Sequence, residues 1–200
     1  MPYDGERFYI ISGPEGAGKT TLTHTLARRG MATMVESTRE VWRYQDRIGG
    51  PYLPFSGGTQ LQKQTYFEMS LALDMRTYEE ALAMTQGPVI FDRGMPDIAV
   101  FLKFCGLPVP AHVDRAIICH RYNSTVFMAP FWPEIYEQDS ERTSTPEEAA
   151  AQEELCRGVY EYFGYKTVML PKAAPEERAD FVIKHIKLDQ AVRAAMRDIL

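Results

Sequence analysis

Eight consecutive residues, Gly13-Pro14-Glu15-Gly16-Ala17-Gly18-Lys19-Thr20, fit the pattern G-x-x-x-x-G-K-[ST]. From average composition, a chance match in a chain this long is on the order of one in a hundred. Glycines let a backbone curl until successive N–H groups point inward and approach phosphate oxygens closely. A helix that follows adds its own unpaired N–H groups and the positive end of its dipole. Lys19 supplies a movable positive charge suited to β- and γ-phosphates, and the Thr20 hydroxyl suits Mg²⁺. The pattern predicts a nucleoside triphosphate, with ATP and Mg²⁺ as the expected cofactors. Gly13, Pro14, Glu15, Gly16, Ala17, Gly18, Lys19, Thr20 and Thr21 would hold it.

Further residues of chemical type lie at the predicted ends of apolar runs. Val89-Ile90-Phe91 leads into Asp92-Arg93-Gly94, the arrangement of a Walker B element. Asp92 suits either of two tasks: holding the Mg²⁺ hydration shell, or taking a proton from an acceptor. Arg93 suits a phosphate or a substrate oxygen; the plainer alternative is a structural ion pair with Asp92. Glu36 and Arg39 follow the run 31–35, where open α/β sheets bind ligands. Their plainer alternative is a solvated helix start, with Glu40 pairing to Arg39 or Arg43. Arg142, in the polar stretch 134–145, is read as a lid arginine that reaches the transferring phosphate, against a solvated loop arginine. The catalytic candidates are therefore Lys19, Glu36, Asp92, Arg93 and Arg142. The substrate contacts are Glu36, Arg39 and Arg93, and the metal ligands Thr20 and Asp92. Asp97 is expected to cap the helix after it. His24, His112 and His120 lack metal spacing, and Cys105, Cys119 and Cys156 form no zinc set.

Positioning these residues requires strands and helices in alternation. Apolar runs at 8–11, 31–35, 89–92, 124–128 and 165–170 read as strands. Helices are predicted over 20–27, stopped by Gly30, and from a Ser37 or Thr38 cap through Val41, Trp42 and Ile48. Another is predicted over 59–85, with Leu71, Met75, Tyr78 and Leu82 as a core face, ended by Gly87-Pro88. Further helices are expected over 98–105 and 111–121, from Pro146, and from Glu176 into the tail. Residues 49–58 read as a packed loop, possible as a flap over substrate. The alternation predicts one α/β domain over 1–200: a five-stranded, mostly parallel sheet with helices on both faces. A lid is expected at about 131–146.

Bulk composition agrees with an ordinary core, 45% of residues being hydrophobic. The 22 basic and 27 acidic residues leave a formal charge of −5, which argues against nucleic acid as a partner. No apolar run approaches the ~18 residues of a membrane span. The polar start of the chain shows no signal peptide, so a cytoplasmic location is expected.

Beyond single motifs, the chain resembles the AAA_28, or NadR-like kinase, group of P-loop proteins. The resemblance is carried by the P-loop at 13–20, Val35-Glu36 to Arg39-Glu40, and Phe91-Asp92-Arg93-Gly94 with Asp97. It extends to Trp132-Pro133-Glu134 with Asp139 and Arg142, and to Glu176-Glu177-Arg178 with Asp180-Phe181. The organisation is similar to nucleoside and nucleotide kinases more than to ring-forming motors. It implies a three-layer P-loop NTPase fold, nucleotide and Mg²⁺ on Lys19 and Thr20, and Arg142 in the lid. It further implies Glu36 as the base for an acceptor hydroxyl, and an adenine bordered by 172–175. The leading expectation is a small-molecule kinase whose base is Glu36 or Asp92. A nucleotide-dependent switch acting on a protein partner, or a polynucleotide end-kinase, is the alternative. The acceptor and the oligomeric state are left open.

Overall fold

A computed structural model describes residues 4–51, 58–84, 87–135 and 145–197. In chain order the elements are β1 (Phe8–Ser12), α1 (Lys19–Arg28), β2 (Ala32–Met34), α2 (Ser37–Arg47), α3 (Gln60–Ala83) and β3 (Val89–Asp92). There follow α4 (Met95–Phe104), α5 (Ala111–Cys119), β4 (Thr125–Met128), α6 (Pro146–Tyr162), β5 (Lys166–Met169) and α7 (Pro175–Arg197). The strands form one sheet in the order β2-β3-β1-β4-β5, and every pairing is parallel. Parallel neighbours cannot be joined by a tight turn, so a helical crossover separates each strand from the next.

All five residues of β1 are buried, because helices cover both faces of the sheet. Phe8 and Ile10 pack with side chains of α2 to α6. Tyr9 and Ile11, one residue out of phase, pack with Leu22 and Leu26 of α1 and Val182 and Ile186 of α7. Period-two alternation thus splits the core into two layers. From β1 the chain crosses past β3 to the edge strand β2, whereas from β3 it crosses past β1 to β4. The connections diverge at the carboxyl ends of β1 and β3, the place where open α/β sheets form a ligand crevice. The P-loop leaves β1 there, and Asp92 and Arg93 end β3.

Several local expectations change. α2 begins at Ser37, so Glu36 is the residue that precedes the helix, in place of a Ser37 or Thr38 cap. The Thr38 hydroxyl instead donates to Glu36 Oε1 at 2.9 Å. Ile48 lies just past the last turn of α2 and is 72% exposed. On α3, Leu71 and Tyr78 are buried but Met75 is exposed, because it sits on the flank of the buried face. α5 stops at Cys119, short of Arg121. α3 opens with a reciprocal cap between Thr59 and Gln62, and α6 with the same device between Thr145 and Glu148. At the amino ends of β1 and β4, Asp189 of α7 accepts hydrogen bonds from Tyr9, Asn123 and Arg193. No helix among the described residues is long and apolar enough to cross a membrane.

Candidate functional site

The P-loop curls because three of its glycines take positive φ: 133° at Gly13, 70° at Gly16 and 73° at Gly18. At Gly13 a side chain is also excluded by space, since a Cβ would fall on the carbonyl oxygen of Ala129. Gly18 leads into α1 in a left-handed conformation, so the first N–H groups of that helix open onto the curl. Lys19 is buried and donates from Nζ to the Pro14 carbonyl oxygen at 2.5 Å. Burial, then the nearby Arg93 charge, pulls its pKa down to about 8. Two side chains from distant helices brace the loop. Gln152 of α6 accepts from the Glu15 N–H at 2.8 Å, and Arg178 of α7 donates to the Ala17 carbonyl at 2.9 Å.

Beside the loop lies a compact set of charges. Thr20 donates to Asp92 Oδ2 at 2.8 Å, while Asp92 Oδ1 is buried without a hydrogen-bond partner. Arg93 does not pair with Asp92. Its backbone is left-handed, φ 68°, and its guanidinium bridges Glu36 Oε1 at 3.0 Å and Asp97 Oδ1 at 2.9 Å. The same guanidinium lies over the Phe101 ring, 4.8 Å from its centroid. Arg39 Nε stands 3.4 Å from Glu36 Oε2, so Glu36 has two arginines, and Arg43 takes Glu40. The expected cap role of Asp97 is present, through the Gly94 N–H at 3.1 Å, but it is one bond of four. Asp97 also accepts from Ser12, Arg93 and the hydroxyl of Tyr160.

The carboxylates of Glu36 and Asp92 are driven apart electrostatically. Burial pushes Glu36 up, but Arg93, Arg39 and Lys19 together outweigh it and hold the carboxyl below its ordinary value. Burial, reinforced by the charge of Glu36, pushes Asp92 up. Such a split separates a group that stays ionised from one that wants a cation or a proton.

A cleft of about 690 Å³, mouth included, runs from Glu15–Thr21 of the loop to Glu36, Thr38, Arg39 and Arg93. Its apolar wall is Trp42, Tyr66 and Phe101. Tyr66 is fixed by donating its hydroxyl to the Thr38 carbonyl. That wall is absent from the sequence-based candidates, as are Gln152 and Arg178 in their bracing roles. Arg178 falls in a block that carries the resemblance, but no local pattern predicts these contacts, because each is made by one side chain on a separate helix. Glu36, Arg39 and Arg93 are brought to the cleft beside the P-loop, and Asp92 sits behind Thr20. Arg142, residues 136–144 of the expected lid and residues 52–57 of the expected flap lie outside the described residues.

Among the described residues no group of three or more His, Cys, Asp or Glu could hold a metal ion by itself. The Thr20 hydroxyl and the unpaired Asp92 oxygen nevertheless suit Mg²⁺. That hard cation takes one or two protein oxygens and fills its octahedron with water and phosphate oxygens.

The fold has relatives among solved structures. A NadR protein in complex with NR superposes with a TM-score of 0.69 at 19% identity, over 90% of this chain and 50% of that one. Deoxyadenosine kinase from M. mycoides, with dCMP and dCDP bound, gives a TM-score of 0.63 at 14% identity, over 90% and 98% of the two chains. Shikimate kinase from Acinetobacter baumannii, in complex with shikimate, gives 0.57 at 16% identity, over 91% and 93%. These identities establish a shared fold and nothing finer. No curated protein matches. Residues 8–178 match the AAA_28 model, described as an AAA domain. The chain therefore belongs to the AAA_28 family, and it shares its fold with the proteins just named.

Proposed function

We propose that the chain is an ATP- and Mg²⁺-dependent kinase acting on a small, hydroxyl-bearing, nucleoside-like acceptor. The observation that carries this reading is the division of labour between two carboxylates on one crevice. Glu36 lines the cleft, ionised between two arginines, while Asp92 takes the Thr20 hydroxyl on Oδ2 and keeps Oδ1 unpaired. On this reading Glu36 accepts the acceptor's hydroxyl proton and Asp92 serves the metal. Lys19 leaves the Pro14 carbonyl for the β- and γ-phosphates as the curl of amides closes on them. Thr20 and Asp92 would hold Mg²⁺, which when bound supplies positive charge at the β- and γ-phosphate oxygens. Arg93 and Arg39 keep Glu36 ionised and lie where an acceptor oxygen would be clamped. The aromatic wall of Trp42, Tyr66 and Phe101 favours a planar ring in the acceptor. Phosphoryl transfer asks for positioning and charge neutralisation more than covalent chemistry, and this constellation suits that task. A lid at about 131–146, carrying Arg142, would close to keep water from the transferred group, and the 172–175 loop would border the adenine.

The test is ADP release from ATP and Mg²⁺ in the presence of nucleosides, sugars and aminoglycosides, with product identified by mass spectrometry. The expected result is acceptor-dependent turnover with a phosphorylated nucleoside-like product, abolished in Lys19→Ala. Turnover retained in Lys19→Ala would refute the P-loop assignment. Hydrolysis that no acceptor stimulates would favour a nucleotide-dependent switch.

A further inference from the structure

Among the buried cations described around the P-loop, Arg178 is matched differently from the rest. Arg93 has the carboxylates of Glu36 and Asp97, and Lys19 lies near those of Glu36 and Asp92. Arg178, 3% exposed in the first turn of α7, makes one hydrogen bond to a neutral acceptor, from Nη1 to the Ala17 carbonyl. Its Nε and Nη2 atoms are buried without a partner. Two acids close in sequence are turned elsewhere. Glu176 and Asp180 both bind Arg29 of α1, at 2.6 and 2.5 Å. A buried guanidinium without a carboxylate destabilises the fold unless something offsets it.

What it touches suggests the offset. The Ala17 carbonyl and the Gly18 N–H belong to one peptide unit. The chain has no cis peptides among the described residues, so these two groups point in opposite directions. With the carbonyl tied to α7, the Gly18 N–H leaves on the far side. The cleft also lies away from α7, its walls beyond the loop being Glu36, α2, α3, Arg93 and α4 with none from α7, so an N–H directed away from α7 is directed to the cleft. Gly18 stands at φ 73° and, having no Cβ, gives the adjoining peptide other accessible orientations unless it is held. A Cβ at this position would also stand 3.0 Å from Arg178 Nη1, so the glycine and the guanidinium fit one another.

We infer that Arg178 is a positioning residue of the phosphate cradle, pinning and polarising the Ala17–Gly18 peptide from behind so that the Gly18 N–H faces bound polyphosphate. The inference rests on the reading of the P-loop as a nucleotide site. A charge-assisted hydrogen bond on the carbonyl draws electron density from the amide and strengthens its N–H as a donor. The guanidinium also adds its field to that of the α1 N-terminus. Bound phosphate supplies the negative charge that the protein withholds from Arg178.

The experiment compares wild type, Arg178→Met, Arg178→Lys and Lys19→Ala by calorimetric titration with ADP and by thermal melts of the ligand-free proteins. Arg178→Met is expected to weaken ADP binding about ten- to a hundred-fold, the scale of one charge-assisted hydrogen bond. Its ligand-free Tm should be unchanged or higher, because an unmatched buried charge has gone. Arg178→Lys, which keeps the charge, should recover much of the affinity. ADP binding within twofold of wild type in Arg178→Met would overturn the role. So would a Lys variant no better than Met, or a ligand-free Tm that collapses together with affinity. If Arg178→Met does not fold, Arg178→Gln carries the same comparison. Wild type that ignores ADP, or Lys19→Ala that binds it normally, overturns the phosphate-site reading along with the inference. Loss in Lys19→Ala with normal binding in Arg178→Met overturns the role of Arg178 alone.

Discussion

Asp97→Asn perturbs the residue on which the site's buried hydrogen bonds converge. Oδ1 receives the Ser12 hydroxyl and Arg93 Nη1, and Oδ2 receives the Gly94 N–H and the Tyr160 hydroxyl. An amide offers one acceptor oxygen, so whichever way it sits, one of these pairs meets an NH₂. The hydroxyl of that pair can rotate and accept, but Arg93 Nη1 or the Gly94 N–H cannot. Either is left buried and unpaired, and Arg93 falls from two carboxylates to Glu36 alone. Breaking one side of a buried ion pair costs about 3–5 kcal/mol. For a domain of this size each kcal/mol lowers Tm by about 2–4 °C, so a fall of about 6–20 °C is expected. A scanning melt of the ligand-free protein measures it. The same change loosens the Arg93 guanidinium at the cleft, so KM for the acceptor should rise more than KM for ATP. A Tm within 2 °C of wild type, roughly the effect of 1 kcal/mol or less, would refute the account of Asp97 as the anchor of Arg93.

Other perturbations separate the remaining roles. Glu36→Gln should lower kcat roughly 10²–10⁴-fold, the usual contribution of a general base, while leaving ADP affinity within twofold; unchanged kcat would remove Glu36 from the base role. Gly13→Ala forces a side chain onto the Ala129 carbonyl at φ 133°. A loss of at least about 2 kcal/mol should appear as a Tm drop of about 4–8 °C, and a normal melt would refute the tight approach. Asp189→Ala removes the acceptor shared by Tyr9, Asn123 and Arg193 and should cost about 1 kcal/mol in urea titrations, after solvent screening. Burial raises the Asp189 pKa, but those three hydrogen bonds and the Arg193 charge outweigh it and hold the carboxyl below its ordinary value. The stabilisation is therefore present above the unfolded pKa and disappears as pH falls through the lower folded one. The gap between variant and wild type should close below about pH 4; a gap that persists in acid would contradict the assignment.

What the sequence determined by itself is whatever local backbone chemistry dictates. The spacing of Gly13, Gly16, Gly18 and Lys19 predicts the curl, since few other residues take those conformations at low cost. Runs such as Phe8–Ile11 and Val89–Phe91 predict buried parallel strands, and the alternation of strands with helices predicts the layered sheet. Glu36, Arg39, Asp92 and Arg93 are legible as candidates because strand ends bind ligands in such sheets. Only the tertiary structure decided what those residues touch. Arg93 pairs with Glu36, 57 positions away, and leaves Asp92 to Thr20, 72 positions away. Asp97 is a hub because Ser12 and Tyr160 arrive from β1 and α6. Gln152 and Arg178 reach the P-loop across 137 and 161 residues, and Tyr66 and Phe101 wall the cleft from separate helices. Partners of this kind depend on which side chains a folded sheet brings within a few ångströms, and on how much water that packing removes. Periodicity along one chain carries neither quantity.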